Sequence, residues 1–97
     1  MKVLQIHPGD NVAVALEALS AGSEVQVLGA EEATRVRVLR DIPFAHKVAI
    51  RPITRGDSIL KYGAPIGFAT TDIAPGDWVH THNVQSSFAA RHGERKS

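Results

Sequence analysis

The stretch Ile73-Ala74-Pro75-Gly76-Asp77-Trp78-Val79 shows the pattern that organises this chain: an apolar residue, two others, glycine, two others, and a second apolar residue. Glycine at the centre can adopt a positive φ and close a tight turn, after which the second apolar residue begins a buried strand. The same pattern occupies residues 6–12, 19–25, 42–48 and 53–59, with alanine replacing glycine at position 45. The sequence therefore predicts short strands joined by tight turns.

The segments between these turns have the composition or the alternation of β-strands. Val36 and Val38 alternate with arginines, which predicts a strand with one buried face. Residues 12–18 fit either a helix capped by Asp10 or a strand, and the preceding turn favours the strand. The predicted strands are residues 2–6, 12–18, 35–39, 47–50, 58–62, 66–70 and 78–83, with residues 31–33 at a loop tip. The predicted fold class is a compact all-β domain of many short strands.

Length and composition limit the classes of protein and of site. A chain of 97 residues with 43% apolar content forms one domain, which we place at residues 1–85, before a polar C-terminal tail at 86–97. With 11 Lys+Arg interleaved among 10 Asp+Glu, the chain lacks the basic field of a nucleic-acid-binding protein. The absence of cysteine excludes disulfides and thiolate chemistry. No signal-peptide pattern or transmembrane-length apolar run occurs, so we expect a cytoplasmic protein without membrane contacts.

Two histidines follow the last turn, in the run from Trp78 to Asn83. In a strand, Trp78, His80 and His82 would share one face, with the two histidine Cα atoms about 7 Å apart. Two imidazoles so placed could bind a divalent metal that takes a third ligand elsewhere, or an anionic group. The His-x-His pattern is a weak signal, and on sequence alone two surface or hydrogen-bonded histidines explain it better.

Other polar residues lie in or beside the turns. His7 and His46 lie within turns, where a local hydrogen bond would also explain them. Aspartates that follow a turn glycine suggest carboxylates hydrogen-bonded to the backbone two residues further on, rather than general bases; these are Asp10, Asp57 and Asp77. Three cations could bind a substrate carboxylate or could simply be solvated; these are Lys47, Arg51 and Lys61.

Four stretches, in this order, carry a family resemblance. They are Asp10-Asn11-Val12-Ala13-Val14-Ala15-Leu16, Ile42-Pro43 with His46-Lys47-Val48-Ala49, Gly56-Asp57 with Lys61-Tyr62-Gly63, and Trp78-Val79-His80-Thr81-His82. Together they resemble the N-terminal SAF-type domain of the altronate/galactarate dehydratase family over about residues 3 to 85. The resemblance implies a β-clip fold, which agrees with the prediction of short strands.

The resemblance also implies an activity and a partner. The expected reaction is that of a hydro-lyase, which converts an altronate-type 2,3-dihydroxy acid into a 2-keto-3-deoxy acid. A divalent cation, Fe²⁺ or Mn²⁺, would be held mainly by a large catalytic subunit. The chain would be a separate small subunit, inactive alone, or a fragment of a longer enzyme; its start at Met1 and its charged tail favour the small subunit. A related alternative is the small subunit of sulfolactate sulfo-lyase, which eliminates sulfite.

The same resemblance suggests residue roles. His80, His82 and His46 would be catalytic, with His80 and His82 also contacting the metal. Lys47, Lys61 and Asn83 would bind the substrate. Two other classes of function stay open: a non-catalytic module that binds a sugar acid or caps a partner, and a structural clip that promotes a homo-oligomer.

Overall fold

All five predicted turns are closed by a backbone hydrogen bond in the computed structural model, which describes residues 1–29 and 34–86. In each turn a backbone N–H donates to the carbonyl three residues earlier, at 2.9–3.1 Å; the donors are Asp10, Ser23, His46, Asp57 and Asp77. The predicted positive φ is present in four turns, at Gly22, Gly56 and Gly76 and also at Ala45, where φ is 71°. It is absent at Gly9, so the prediction is wrong there.

The described residues form nine short strands and no helix, which confirms the all-β prediction. The strands are β1 Lys2–Leu4, β2 Val12–Ala15, β3 Glu24–Leu28, β4 Thr34–Arg37, β5 Lys47–Ala49, β6 Ser58–Lys61, β7 Ala64–Ala69, β8 Trp78–Val79 and β9 Val84–Ser86. The choice of a strand over a helix after Asp10 is also confirmed by β2. In residues 1–29 and 34–86 no helix is long and apolar enough to cross a membrane.

Two sheets build the domain. The larger has the order β4-β3-β1-β2-β5-β8, with β1 and β3 parallel and the other neighbours antiparallel. The smaller has the order β6-β7-β9 and is antiparallel. Inward-facing side chains form two apolar clusters, one around Val3 and Val25 and one around Ile53 and Ile59. Burial of these aliphatic side chains is the main driving force for the fold.

The two halves of the chain repeat one arrangement. Leu19 bridges to Ile42 in the first half, and Ile53 bridges to Ile73 in the second. The aspartate before each bridging isoleucine, Asp41 or Asp72, accepts a hydrogen bond from a backbone N–H of the facing turn. The turns that follow these isoleucines lead into β5 and β8, which pair with each other. The repeat therefore places the turn that precedes Lys47 next to the turn that precedes Trp78.

Three sequence predictions need correction. The predicted strand at residues 78–83 is wrong beyond Val79, because the Asn83 N–H donates to the His80 carbonyl at 3.1 Å and closes a turn. Strand β3 lies where the turn at residues 19–25 predicts a strand from Val25, although the predicted segments did not include it; β9 was not predicted, and the boundary placed after residue 85 cuts β9 before its last residue, Ser86. The remainder of the predicted tail, 87–97, and the predicted loop tip at 31–33 lie outside the described residues.

Candidate functional site

Asn83 shapes the chain after β8. Its side-chain Oδ1 accepts the N–H of His80 at 3.0 Å, and its Nδ2 donates to the carbonyl of Trp78 at 2.8 Å. Asn83 is buried, with 3% of its surface exposed, and both the oxygen and the nitrogen of its amide form hydrogen bonds to backbone. Asn83, which was predicted to bind substrate, thus has a structural role: it holds His80 in place.

Trp78 lies in contact with three histidines, and we call His46, Trp78, His80 and His82 the imidazole cluster. The rings of Trp78 and His80 stack with centroids 5.1 Å apart and planes 6° apart. The His46 ring lies 4.9 Å from that of His80, and the His82 ring lies 5.3 Å from that of Trp78. The three predicted catalytic histidines thus converge on one tryptophan, although a turn rather than a strand brings them there.

The orientation of His46 follows from one hydrogen bond. The indole Nε1–H of Trp78 donates to Nδ1 of His46 at 3.2 Å. Because Nδ1 is the acceptor, a neutral His46 carries its proton on Nε2. His46 therefore offers one N–H donor, from a position that β5 and the preceding turn hold beside His80.

A half-open cavity of about 250 Å³ lies beside the cluster. Its lining comes from both sheets and from the turn after β8: Lys47, Ile66, His80, Thr81, Val84 and Ser86. Lys47 and His80 supply the titratable groups, and Thr81 and Ser86 supply hydroxyls. Thr81 could have been noticed inside the His-x-His run, whereas Ile66 and Val84 enter only through the pairing of β7 with β9.

The electrostatics of this cavity favour the neutral form of His80 and also make the charged form of Lys47 less favourable than it is in water. Burial lowers the pKa of His80, and the neighbouring His46, Lys47 and His82 lower it further. Burial also lowers the pKa of Lys47, with the charge of Lys61 as the second cause. Within residues 1–29 and 34–86 the ion pairs join Arg35 to Glu24 and Arg40 to Asp77, so neither lysine has a carboxylate partner there. An anionic ligand would supply the missing charge.

The donor set is insufficient for a metal ion. In the described part of the chain no three His, Cys, Asp or Glu side chains are placed to hold one. A protein site for a divalent transition metal takes at least three such ligands. The predicted ligands His80 and His82 therefore do not form a metal site by themselves.

The other candidate polar residues have local structural roles. His7 accepts the Gly9 N–H at 3.1 Å through Nδ1, and Arg51 donates to the Pro8 carbonyl at 3.0 Å. The turn aspartates accept backbone hydrogen bonds, but not from two residues further on as predicted: Asp10 and Asp57 bond to the N–H three residues earlier, and Asp77 bonds to the N–H of Trp78. Asp10 also accepts two N–H groups from the β6–β7 hairpin.

The sequence, compared with known families, matches the altronate/galactarate dehydratase SAF domain over residues 1–87. The chain belongs to this family. Its all-β fold is consistent with an SAF-like domain, and the imidazole cluster and its cavity are features of this SAF domain.

Individual relatives of the SAF domain differ greatly in length. Altronate dehydratase of Escherichia coli is 42% identical over 92% of this chain, but the match covers only 17% of that enzyme. The Bacillus subtilis altronate dehydratase is 37% identical, with 16% of its length matched. By contrast, (2R)-sulfolactate sulfo-lyase subunit alpha of Chromohalobacter salexigens is 31% identical, with 90% of its length matched. The chain thus spans about a sixth of the altronate dehydratases and most of the sulfo-lyase subunit.

Proposed function

We propose that this SAF domain is the small component of a hydro-lyase that acts on altronate-type 2,3-dihydroxy acids. It would work with a larger catalytic portion that is not contained in this chain. The observation that carries the proposal is that one cavity is lined both by His80, an imidazole whose pKa is lowered, and by Lys47, which has no carboxylate partner among residues 1–29 and 34–86. Family membership supports the class of reaction, since the relatives are named as dehydratases and a sulfo-lyase.

The chemistry needs the groups that this wall offers. Dehydration removes the proton at C2, next to the carboxylate, and releases the C3 hydroxyl as water; the resulting enol then becomes the 2-keto-3-deoxy acid. Lys47 is suited to bind the substrate carboxylate. Neutral His80 is suited to accept a proton, and the Nε2–H of His46 can donate a hydrogen bond to a substrate oxygen.

The divalent cation, Fe²⁺ or Mn²⁺, belongs in this scheme to the larger portion. His80 and His82 have no third ligand beside them in the described residues, so these residues would supply at most part of the coordination of the cation. We therefore assign His80 to proton transfer and derive no step from the metal.

Sulfite elimination is the second candidate reaction. The match to the sulfo-lyase subunit alpha covers 90% of that subunit, which favours an organisation with a separate small subunit. The same wall could serve both reactions, because both start by removing a proton next to a carboxylate. Direct comparison of altronate with (2R)-sulfolactate as substrates distinguishes the two.

A chimera tests the proposal. Residues 1–87 would replace the matched segment of E. coli altronate dehydratase, and altronate dehydration would be measured. We expect activity, and we expect Lys47→Met and His80→Gln each to reduce kcat/KM by about 100-fold or more. Lys2→Met, at an exposed lysine outside the cavity, is the matched control and should leave kcat/KM unchanged. A folded but inactive chimera would contradict the proposal.

The double variant His80→Ala with His82→Ala separates catalysis from mere binding or assembly. If turnover is lost while the exchanged segment still unfolds together with the rest of the chimera, the histidines serve catalysis. If the segment instead separates from the rest, the SAF domain is an assembly module and the catalytic assignment is wrong.

A further inference from the structure

The indole of Trp78 contacts all three rings of the imidazole cluster, but not in the same way. Its ring stacks on that of His80 and is tilted by 47° against those of His46 and His82. The hydrogen bond from the indole Nε1–H goes to Nδ1 of His46. Among the residues that the structure describes, no protein group hydrogen-bonds to the ring nitrogens of His80 or His82. Trp78 therefore makes His46 chemically different from the other two imidazoles.

The position of the indole is set independently of the histidines. The backbone N–H of Trp78 donates to Oδ1 of Asp77, and its carbonyl accepts Nδ2 of Asn83, each at 2.8 Å. The same Asp77 oxygen forms an ion pair with Nε of Arg40 at 2.8 Å. The half-buried indole packs against the apolar cluster around Val3. The ring therefore has little freedom to move with the histidines that contact it.

The indole decides which nitrogen of His46 carries a proton. An indole N–H donates and cannot accept, so Nδ1 of His46 must keep its lone pair and the neutral ring carries its proton on Nε2. The other tautomer would place two N–H groups against each other. A proton could be taken up at Nδ1 only if the bond to Trp78 broke. While this bond lasts, His46 is a hydrogen-bond donor and not an acceptor.

His80 is held without the use of a ring nitrogen. Its plane lies 6° from that of the indole, and its backbone N–H is fixed by Asn83. A stacking contact determines the plane of the ring and leaves both nitrogens available. His80 lines the cavity, and its ring lies 4.9 Å from that of His46. Two neighbouring imidazoles are thus given different hydrogen-bonding capacities by one tryptophan.

We propose that Trp78 is a positioning residue: its indole N–H makes His46 the hydrogen-bond donor of the cluster and leaves His80 as the imidazole that accepts a proton. The proposal rests on the proposed function, because it assigns donor and acceptor for removal of a proton next to a carboxylate. Its ligand is accordingly an acid with an oxygen that accepts the His46 Nε2–H while His80 takes the proton.

The hydrogen bond can be measured in the isolated chain by NMR, without any turnover. At about pH 8, where imidazoles are neutral, we expect a scalar coupling between the ¹⁵N nuclei of Trp78 Nε1 and His46 Nδ1, and a proton on Nε2 of His46. His46→Leu removes the acceptor and should accelerate exchange of the indole proton with water by about tenfold or more. His82→Leu is the matched control, because that ring also contacts the indole but accepts no bond from it. It should leave the exchange rate unchanged.

The chimera tests the consequence for catalysis. Trp78→Phe keeps an aromatic ring beside His80 and removes the donor, so kcat should fall by about tenfold while KM changes by less than about twofold. In the His46→Leu background the same change should lower kcat by less than about twofold, because no imidazole is left to position. Tyr62→Phe is the matched control: it also removes a donor from an aromatic side chain, 60% exposed and outside the cavity, and should change neither constant.

Four outcomes overturn the proposal. They are a missing coupling in the wild-type chain, a proton on Nδ1 of neutral His46, an unchanged kcat in Trp78→Phe, and a loss of kcat that is as large in the His46→Leu background. If Trp78→Phe fails to fold, the coupling and the exchange rates decide, because both are measured with Trp78 in place. A chimera that lacks dehydratase activity while the coupling is present refutes the proposed function instead, and Trp78 still sets the tautomer of His46.

Discussion

Replacing Gly76 by alanine should destabilise the domain far more than the same change at Gly56. Both glycines have φ 90°, so alanine meets the same backbone strain at each, about 1–2 kcal/mol. The reduced freedom of the unfolded chain offsets about 0.4–1 kcal/mol of it. Around Gly56 a new Cβ meets no atom within 4 Å. Gly56→Ala should therefore cost only about 1 kcal/mol.

At Gly76 the added methyl group also meets backbone. It would overlap the carbonyl oxygen of Arg37 and lie 2.9 Å from the carbonyl carbon. These atoms cannot rotate away, so residues 36–37 must move, which strains the hydrogen bond from the Leu39 N–H to the Gly76 carbonyl. Overpacking contributes about 1–3 kcal/mol and the hydrogen bond about 1 kcal/mol. With the backbone strain, the total loss is about 3–5 kcal/mol.

Urea unfolding of the isolated chain measures both losses, and Trp78, its only tryptophan, provides the fluorescence signal. A domain of this size has about 5–15 kcal/mol of stability, so the Gly76→Ala midpoint should fall steeply while the slope of the transition stays unchanged. Gly56→Ala is the matched control. Equal losses at the two positions would mean that the contact of the new methyl group with the Arg37 carbonyl does not affect the free energy of unfolding, contrary to this prediction.

Three further predictions concern side chains. Asn83→Ala should cost about 1–3 kcal/mol and release the turn that holds His80, which thermal unfolding and histidine NMR linewidths would detect. Asp10→Asn should lower the free energy of unfolding by about 2–4 kcal/mol, because a side-chain amide cannot accept all three backbone N–H groups that the carboxylate accepts. Asp57 is exposed and accepts one backbone N–H, so Asp57→Asn should cost less than about 1 kcal/mol. By NMR, His80 should titrate below 6.5, and Lys47→Met should raise its pKa toward that value.

The pH dependence of stability follows from the sign of the His80 shift. Its folded pKa is lowered, so the contribution of His80 to stability is complete above pH 6.5 and is lost as pH falls through the folded pKa.

An unchanged His80 titration in Lys47→Met would contradict the assigned influence of the Lys47 ammonium on the His80 pKa. Equal destabilisation by the Asp10 and Asp57 variants would contradict the role of the three N–H bonds.

Features that depend only on neighbouring residues could be predicted from the amino-acid sequence. A central glycine such as Gly76 predicts a turn because few other residues tolerate positive φ, and the alternation around Val36 predicts a strand because side chains alternate across a sheet. These local rules are sufficient for the all-β class and for the repeated turns. They fail after Val79, because the side-chain amide of Asn83 hydrogen-bonds the backbone of Trp78 and His80 and the strand ends there.

Which side chains contact one another depends on how the strands pack in the folded chain. The bond from Trp78 to His46 joins residues 32 apart in the sequence, and the bond from Tyr62 to Asp10 joins residues 52 apart. Neither contact can be predicted from a periodic or local sequence pattern. The first depends on how β5 and β8 pair, and the second depends on how the β6–β7 hairpin packs. The position and chemistry of the candidate site are therefore properties of long-range packing, whereas its scaffold is a property of local backbone preferences.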